Sequence, residues 1–161
     1  MAHNVAMRVG AEGLGGCSDL RVEGVVSLHP YFWGTERLPS ELGCDDGQLI
    51  RPEVARNLSM FISGGAGVDN PRINPLAEGA PSLARLSCRR VLVAVAGKDT
   101  LRDRGRAYCE SLRSSGWEGE AELLQTEGRD NCFFIFGARE SHDASSVLFK
   151  IYIGAHYGVA G

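Results

Sequence analysis

The sequence predicts an α/β fold in which helices flank a short, mainly parallel sheet of three strands. Val91–Ala96 is an unbroken run of six apolar residues, which is typical of a strand buried on both faces of a parallel sheet. Gly24–His29 is a second apolar run, expected to be buried and ended by Pro30. Glu120–Thr126 alternates in the manner of an edge strand. Helical spacing of apolar residues around these runs completes the α/β pattern.

The same spacing predicts four helices. They cover Met1–Val9, Pro52–Ile62, Leu101–Leu112 and Asp143–Tyr152. In the first helix Val5 and Val9 share one face, and Gly10 together with Gly13–Gly16 is expected to end it. The inward positions expected for the third helix are Leu101, Ala107, Tyr108 and Leu112.

Composition limits the possible classes of function. With 161 residues, 43% of them hydrophobic, the chain has the size and apolar content of one modest domain. Its net charge is −3 and no basic cluster exceeds the Arg89–Arg90 pair, so nothing indicates binding to nucleic acid or to an anionic membrane surface. No apolar run reaches membrane-spanning length, and the first residues do not form a signal peptide.

The five cysteines are scattered, odd in number and never spaced C-x-x-C. They are Cys17, Cys44, Cys88, Cys109 and Cys132. This pattern favours reduced thiols in the cytosol, with the nucleus also open, over a disulfide framework or a zinc site. No metal or other cofactor is expected, because no His-x-x-x-His or acidic cluster is present.

Asp99 is the first candidate for chemistry. Gly97 and Lys98 end the Val91–Ala96 run, so Asp99 lies just beyond the carboxyl end of a parallel strand, where open α/β sheets place their active sites. Asp is also a common helix cap, and the Leu101–Leu112 helix follows directly. The spacing alone leaves both roles open.

Several segments together identify a family. They read HPYFWG, TERLPSE, INP, AGKDTLRDRGRAY, SGWEGE and TEGRD. They resemble the plant carboxylesterases of the α/β-hydrolase superfamily, whose relatives include the gibberellin receptors and the hydroxyisoflavanone dehydratases. The resemblance implies that Asp99 is the acid of a Ser–His–Asp triad and that Asp103 matches a second, non-catalytic Asp.

The resemblance also places the chain within the family fold. Ala2, His3, Asn4, Ala6 and Arg8 match the helix that follows the nucleophile elbow of these enzymes. The chain is therefore expected to be the C-terminal half, a truncated α/β-hydrolase fold forming one partial domain over residues 1–161. Residues 34–86 are expected to be a cap-like insertion between the first and second strands. The nucleophilic Ser and the oxyanion loop would lie before Met1, and the chain contains no G-x-S-x-G.

Asn131 stands where the family has its catalytic His. An amide does not accept a proton near neutral pH, so Asn131 cannot act as the general base. The other histidines, His3, His29, His142 and His156, are expected to be surface or capping residues. The chain is accordingly expected to be inactive as an ester hydrolase.

Two further readings stay open. Tyr31, Phe32 and Trp33 either line an ester pocket or pack in the core. In place of catalysis, the fold could serve as a small-molecule binding module of the gibberellin-receptor type, or the chain could be a degenerate gene product. Whether the chain acts as an esterase or as a binding module, its expected partner is a small-molecule ester or a hormone-like ligand. The sequence leaves the oligomeric state open.

Overall fold

The structure, a computed structural model, describes residues 2–15, 21–42, 57 and 64–136. In this part of the chain the strands are β1 (Gly24–Leu28), β2 (Arg90–Ala96) and β3 (Glu120–Thr126). The helices are α1 (Ala2–Glu12), the single turn α2 (Pro39–Leu42), α3 (Arg102–Ser114) and the single turn α4 (Phe133–Phe136), with a 3₁₀ turn at Leu83–Arg85. The predicted helix at Pro52–Ile62 lies outside the described residues apart from Asn57, which is helical, and the one at Asp143–Tyr152 lies wholly outside.

The three strands form one parallel sheet in the order β1-β2-β3. The central strand β2 is buried from Val93 through Ala96, so side chains on both of its faces are covered, as the apolar run predicts. Its neighbour β3 begins opposite Arg90 and, among the described residues, forms one edge of the sheet, as the alternating pattern predicts. The α/β class and the parallel sheet are thus confirmed.

Strand β1 is less buried than predicted. Only Val25 and Ser27 are buried, while Val26 is 36% exposed. Within the described residues β1 pairs with β2 alone, so its other side is an open edge. The strand ends at Leu28, one residue earlier than predicted, and His29 then turns the chain with a left-handed φ of 41°.

Helix α1 continues past the predicted stop at Gly10. The prediction that Gly10 ends the helix was wrong. Gly10 lies inside the helix, where its missing side chain allows the helix to approach a neighbouring segment closely: a Cβ on Gly10 would lie 2.1 Å from the carbonyl oxygen of Arg85. The helix ends at Glu12, and Gly13 follows in the left-handed region with its N–H donating to the Val9 carbonyl at 2.8 Å. The inward face buries His3 and Ala6, whereas Val5 is 56% exposed.

Helix α3 packs on β2 and contributes Tyr108, Cys109 and Leu112 to the main core cluster. Leu101, Tyr108 and Leu112 are fully buried as predicted, and Ala107 is half-buried. Gly105 brings the helix close to the sheet, because a Cβ there would lie 2.6 Å from the Val95 side chain. Within the described part of the chain, no helix is long and apolar enough to cross a membrane.

The start of the long segment between β1 and β2 is fastened to α3. The Ser40 N–H donates to Asp103 at 2.9 Å and the Ser40 hydroxyl donates to the Thr100 carbonyl at 2.6 Å. Glu41 forms a buried ion pair with Arg104. These contacts place α2 against the first turn of α3. The assignment of residues 34–86 as a cap-like insertion stays a prediction.

Candidate active site

The carboxyl ends of the three strands bring Asp99 and Asn131 together. After β2, the Gly97 N–H donates to the Thr126 carbonyl at 2.8 Å and the Lys98 N–H donates to the Arg129 carbonyl at 2.9 Å. The loop after β2 is therefore bonded along the loop after β3. Residues 32 positions apart in the sequence meet because parallel strands end at the same edge.

Asp99 is 4% exposed and both of its carboxylate oxygens accept hydrogen bonds. Oδ1 accepts from the Leu101 N–H at 2.9 Å, which closes the turn that leads into α3. Oδ2 accepts from Asn131 Nδ2 at 2.8 Å. One oxygen thus stabilises the turn before α3 and the other accepts from residue 131. Asp99 is not itself the helix cap, because the cap position of α3 is Leu101, which makes no side-chain capping hydrogen bond.

Asn131 makes the hydrogen bond that an imidazole would make to a triad acid. Its Nδ2 donates to Asp99, as a ring N–H of histidine would. The Asn131 side chain has no second nitrogen with a basic lone pair. It can therefore donate a hydrogen bond to the acid but cannot accept a proton. Asn131 is half-buried, and its side chain is reachable from solvent.

His29 belongs to the same cluster, contrary to the expectation of a surface or capped residue. It is 8% exposed, and its Nδ1 accepts from the Cys132 N–H at 2.7 Å. Burial lowers the pKa of His29, while the negative charge of Asp99 and a hydrogen bond with the Asn131 side chain act in the opposite direction. Its position directly after β1, at the same sheet edge as Asp99, is the sequence signal that could have identified it.

The aromatic trio after β1 divides between two packing clusters. Phe32 packs on Tyr108 with ring centroids 4.9 Å apart, and Trp33 is buried with Ile73 and Leu101. Tyr31 is half-buried beside the Trp33 cluster. Phe32 and Trp33 are therefore core residues.

Phe32 also lines a cavity of about 150 Å³. The other lining residues are Glu36, Leu38, Asn74, Pro75, Leu76, Arg104, Ala107 and Tyr108. Because neither Asp99 nor Asn131 lines it, this cavity is separate from the candidate catalytic residues.

His3 is also buried, contrary to the expectation of a surface residue. It is hydrogen-bonded through Nδ1 to the Tyr108 hydroxyl at 2.8 Å. Burial, with a smaller contribution from the positive charge of the amino terminus, lowers the pKa of His3 to about 4. It therefore stays neutral in the core, away from Asp99. His142 and His156 lie outside the described residues.

Cys132 is a half-buried free thiol, and Cys88 and Cys109 are buried free thiols. Burial raises the pKa of Cys132, and the nearby charge of Asp99 raises it further, so the thiol is a poor nucleophile at neutral pH. Among the described residues no three His, Cys, Asp or Glu side chains are grouped as metal ligands.

The family with the α/β-hydrolase fold matches residues 1–135 of the chain. The chain is 48% identical over 151 residues to 2-hydroxyisoflavanone dehydratase of Glycyrrhiza echinata, covering 94% of this chain and 44% of that protein. It is 43% identical over 135 residues to the chloroplastic tuliposide A-converting enzyme 1 of Tulipa gesneriana, covering 84% and 32%. It is 38% identical over 118 residues to probable carboxylesterase 2 of Arabidopsis thaliana, covering 73% and 36%.

Solved structures agree on the fold. An α/β-hydrolase from the metagenome of Lake Arreo superimposes with a TM-score of 0.75 at 20% identity, covering 98% of this chain and 47% of that one. A thermophilic carboxylesterase from a metagenomic library gives a TM-score of 0.65 at 19% identity, covering 94% and 47%. These similarities show the fold of the chain.

The chain belongs to the α/β-hydrolase fold family. Its plant relatives place it, more narrowly, with the carboxylesterase-type members that include the hydroxyisoflavanone dehydratases and tuliposide-converting enzymes. The chain spans less than half the length of these relatives. The predicted family and fold class are confirmed.

Proposed function

We propose that this chain carries the acid residue of a carboxylesterase-type catalytic site, a site that hydrolyses carboxylic esters, and that this site lacks its general base. The observation that carries the proposal is the 2.8 Å hydrogen bond from the Asn131 amide to Asp99. A triad acid orients a histidine through this contact. Here the contact is made by a side chain that cannot take the proton of a nucleophile.

A serine esterase needs a nucleophile, a base, an orienting acid and N–H donors for the oxyanion. The sequence contains no G-x-S-x-G, and of the triad it supplies Asp99 alone. His29 does not replace the base, because its Nδ1 lone pair already accepts from the Cys132 N–H. We therefore propose that the 161-residue chain does not turn over esters.

The test is hydrolysis of p-nitrophenyl acetate by the purified chain. We expect a rate no higher than that of serum albumin at equal concentration, because exposed lysines and histidines of any protein react slowly with this ester. Asp99→Ala is the matched control and should leave that rate unchanged. Saturable turnover that disappears in Asp99→Ala would overturn the proposal.

A small-molecule binding module is the second candidate, and the cavity beside Phe32 favours it. Apolar side chains, among them Leu38, Pro75 and Leu76, form much of its wall, with Arg104 at the polar side. A volume of about 150 Å³ suits a ligand of a few heavy atoms, such as the acyl part of a small ester or a hormone-like acid. Ligand-observed NMR with such molecules tests this role, and Ala107→Leu, which narrows the cavity, should abolish a true signal.

A further inference from the structure

Two residues near Asp99 share an uncommon backbone conformation and bond to each other. His29 has φ 41° and Cys132 has φ 56°, and among the described residues they alone are non-glycine residues with positive φ. The Cys132 N–H donates to His29 Nδ1 at 2.7 Å although 103 positions separate them. Left-handed non-glycine residues persist only where surrounding contacts impose them, and they concentrate at functional sites.

This hydrogen bond fixes the tautomer of His29. Because Nδ1 accepts, the proton of the neutral ring is on Nε2. The Asn131 amide donates its Nδ2 proton to Asp99 and has Oδ1 left as an acceptor. An interaction with the Asn131 side chain acts to raise the pKa of His29. Hydrogen bonds thus link His29 to the Cys132 backbone and Asn131 to Asp99, at two adjacent positions of the loop after β3.

We propose that His29 is a positioning residue of this site, which holds the loop after β3 so that the side chain at position 131 is presented to Asp99. It acts at the Cys132 N–H, directly after the residue that donates to the acid. Phe133 and Phe134 enclose the ring at centroid distances of 5.8 and 5.1 Å and fix its plane. The role is independent of whether the site hydrolyses esters, because it concerns the placement of residue 131 alone.

A histidine that merely fills the core would behave differently. Replacing it with an aromatic residue of similar size would retain the packing on Phe133 and leave the loop in place. A positioning histidine cannot be replaced in that way, since the phenyl ring has no acceptor for the Cys132 N–H. Asparagine retains an acceptor near the Nδ1 position and tolerates positive φ better than most residues, so His29→Asn is the conservative variant.

The experiment uses NMR on the whole chain. In Asn131→His, the new imidazole should bond to Asp99 and give a strongly downfield-shifted ring N–H resonance, as hydrogen bonds to a buried carboxylate do. Adding His29→Phe should abolish that resonance and raise the exchange rate of the Cys132 amide at least tenfold. Adding His29→Asn should retain both signals. An unchanged resonance and an unchanged Cys132 exchange rate in the His29→Phe variant would overturn the proposal.

A pH titration of the unaltered chain gives a second measurement that does not depend on how the variants fold. Protonation of Nδ1 removes the acceptor of the Cys132 N–H, so the protection of that amide, measured against its intrinsic exchange rate at each pH, should fall as the pH falls through the pKa of His29. The groups around the ring are the Asp99 carboxylate, the Asn131 side chain, the Cys132 backbone N–H and the two phenyl rings, with Arg129 over Phe133. Titration of the His29 ring without any change at the Cys132 amide would contradict the proposal.

Discussion

Loss of the Glu41 charge should destabilise the fold more than loss of any exposed charge. Glu41 accepts from Arg104 through both carboxylate oxygens, from Nε at 2.6 Å and from Nη2 at 3.0 Å. The Arg104 and Glu41 side chains are 9% and 1% exposed. Glu41 also accepts from the Leu38 N–H at 3.0 Å. In Glu41→Gln the buried guanidinium loses its counter-charge, and one amide NH₂ faces N–H donors instead of accepting from them.

The size of the effect follows from these contacts. Removing one partner of a buried ion pair typically costs about 3–5 kcal/mol, because the other charge stays buried without compensation. Asp69 moderates the loss. Hydrogen bonds from Thr35 chiefly lower its pKa, and the charge of Arg104 contributes, so Arg104 retains an anion in its surroundings. We therefore expect about 3 kcal/mol, near the low end, which corresponds to a fall in melting temperature of about 6–12 °C for a chain of this size.

Urea unfolding measures this difference, and the chain offers a matched control. Arg8 and Glu12 form an exposed ion pair at 3.2 Å, for which Glu12→Gln should cost at most about 0.5 kcal/mol. A double variant, Arg104→Met with Glu41→Leu, should recover part of the loss, since apolar replacement of a whole buried pair is often neutral. If Glu41→Gln costs no more than Glu12→Gln at equal m-values, the pair is hydrated in solution and the reasoning fails.

Three further outcomes are expected. In a protein that joins this chain to the N-terminal half of a carboxylesterase relative, Asn131→His should raise the esterase rate at least about 10³-fold, and an unchanged rate in folded protein would place the base elsewhere. The open edge of β1 should make the isolated chain self-associate, seen as a concentration-dependent melt and elution volume. Val26→Lys should reduce that association, and a concentration-independent monomer would show that the edge is protected. The pKa of His3 is lowered to about 4 in the folded chain, so the unfolded chain binds the proton more readily. The neutral His3 ring therefore contributes its full stabilisation above the ordinary histidine pKa of about 6.5, and this stabilisation is lost as the pH falls from about 6.5 to 4. Urea unfolding should show a loss of about 2 kcal/mol between pH 7 and 5 that disappears in His3→Asn; an equal loss in that variant would assign the effect to other groups.

Local patterns predict those parts of the fold that depend on neighbouring residues. β2, β3 and α3 are found within two residues of their predicted limits, because an unbroken apolar run, an alternating run and helical spacing each determine burial locally. The proximity of Asp99 and Asn131 follows from one further rule, that parallel strands end at a common edge. The sequence alone therefore predicts that two site residues lie close together when this requires only that neighbouring parallel strands end at a common edge.

Polar partnerships between distant segments are not predictable in that way. The burial of His3 depends on Tyr108, and that of His29 depends on the Cys132 backbone, each more than 100 positions away. Histidine has no strong general preference for burial or exposure, so the tertiary contact decides where each ring lies. Gly10 shows the same limitation for the backbone. It matches a helix stop, yet its position is explained by contact with the Arg85 carbonyl.

The structure separates two requirements on residue 131 that a catalytic histidine would meet together. A buried Asp99 carboxylate needs donors for both oxygens, since an unsatisfied buried acceptor costs about 1–3 kcal/mol and more when it is charged. The Leu101 N–H satisfies one oxygen, so residue 131 must donate to the other. Asparagine meets this structural requirement fully and the chemical one not at all, because its amide donates without being basic. Under the proposed function, an Asp99 site that keeps this geometry would not transfer a proton, and a side chain that donates at position 131 keeps the second oxygen of Asp99 hydrogen-bonded.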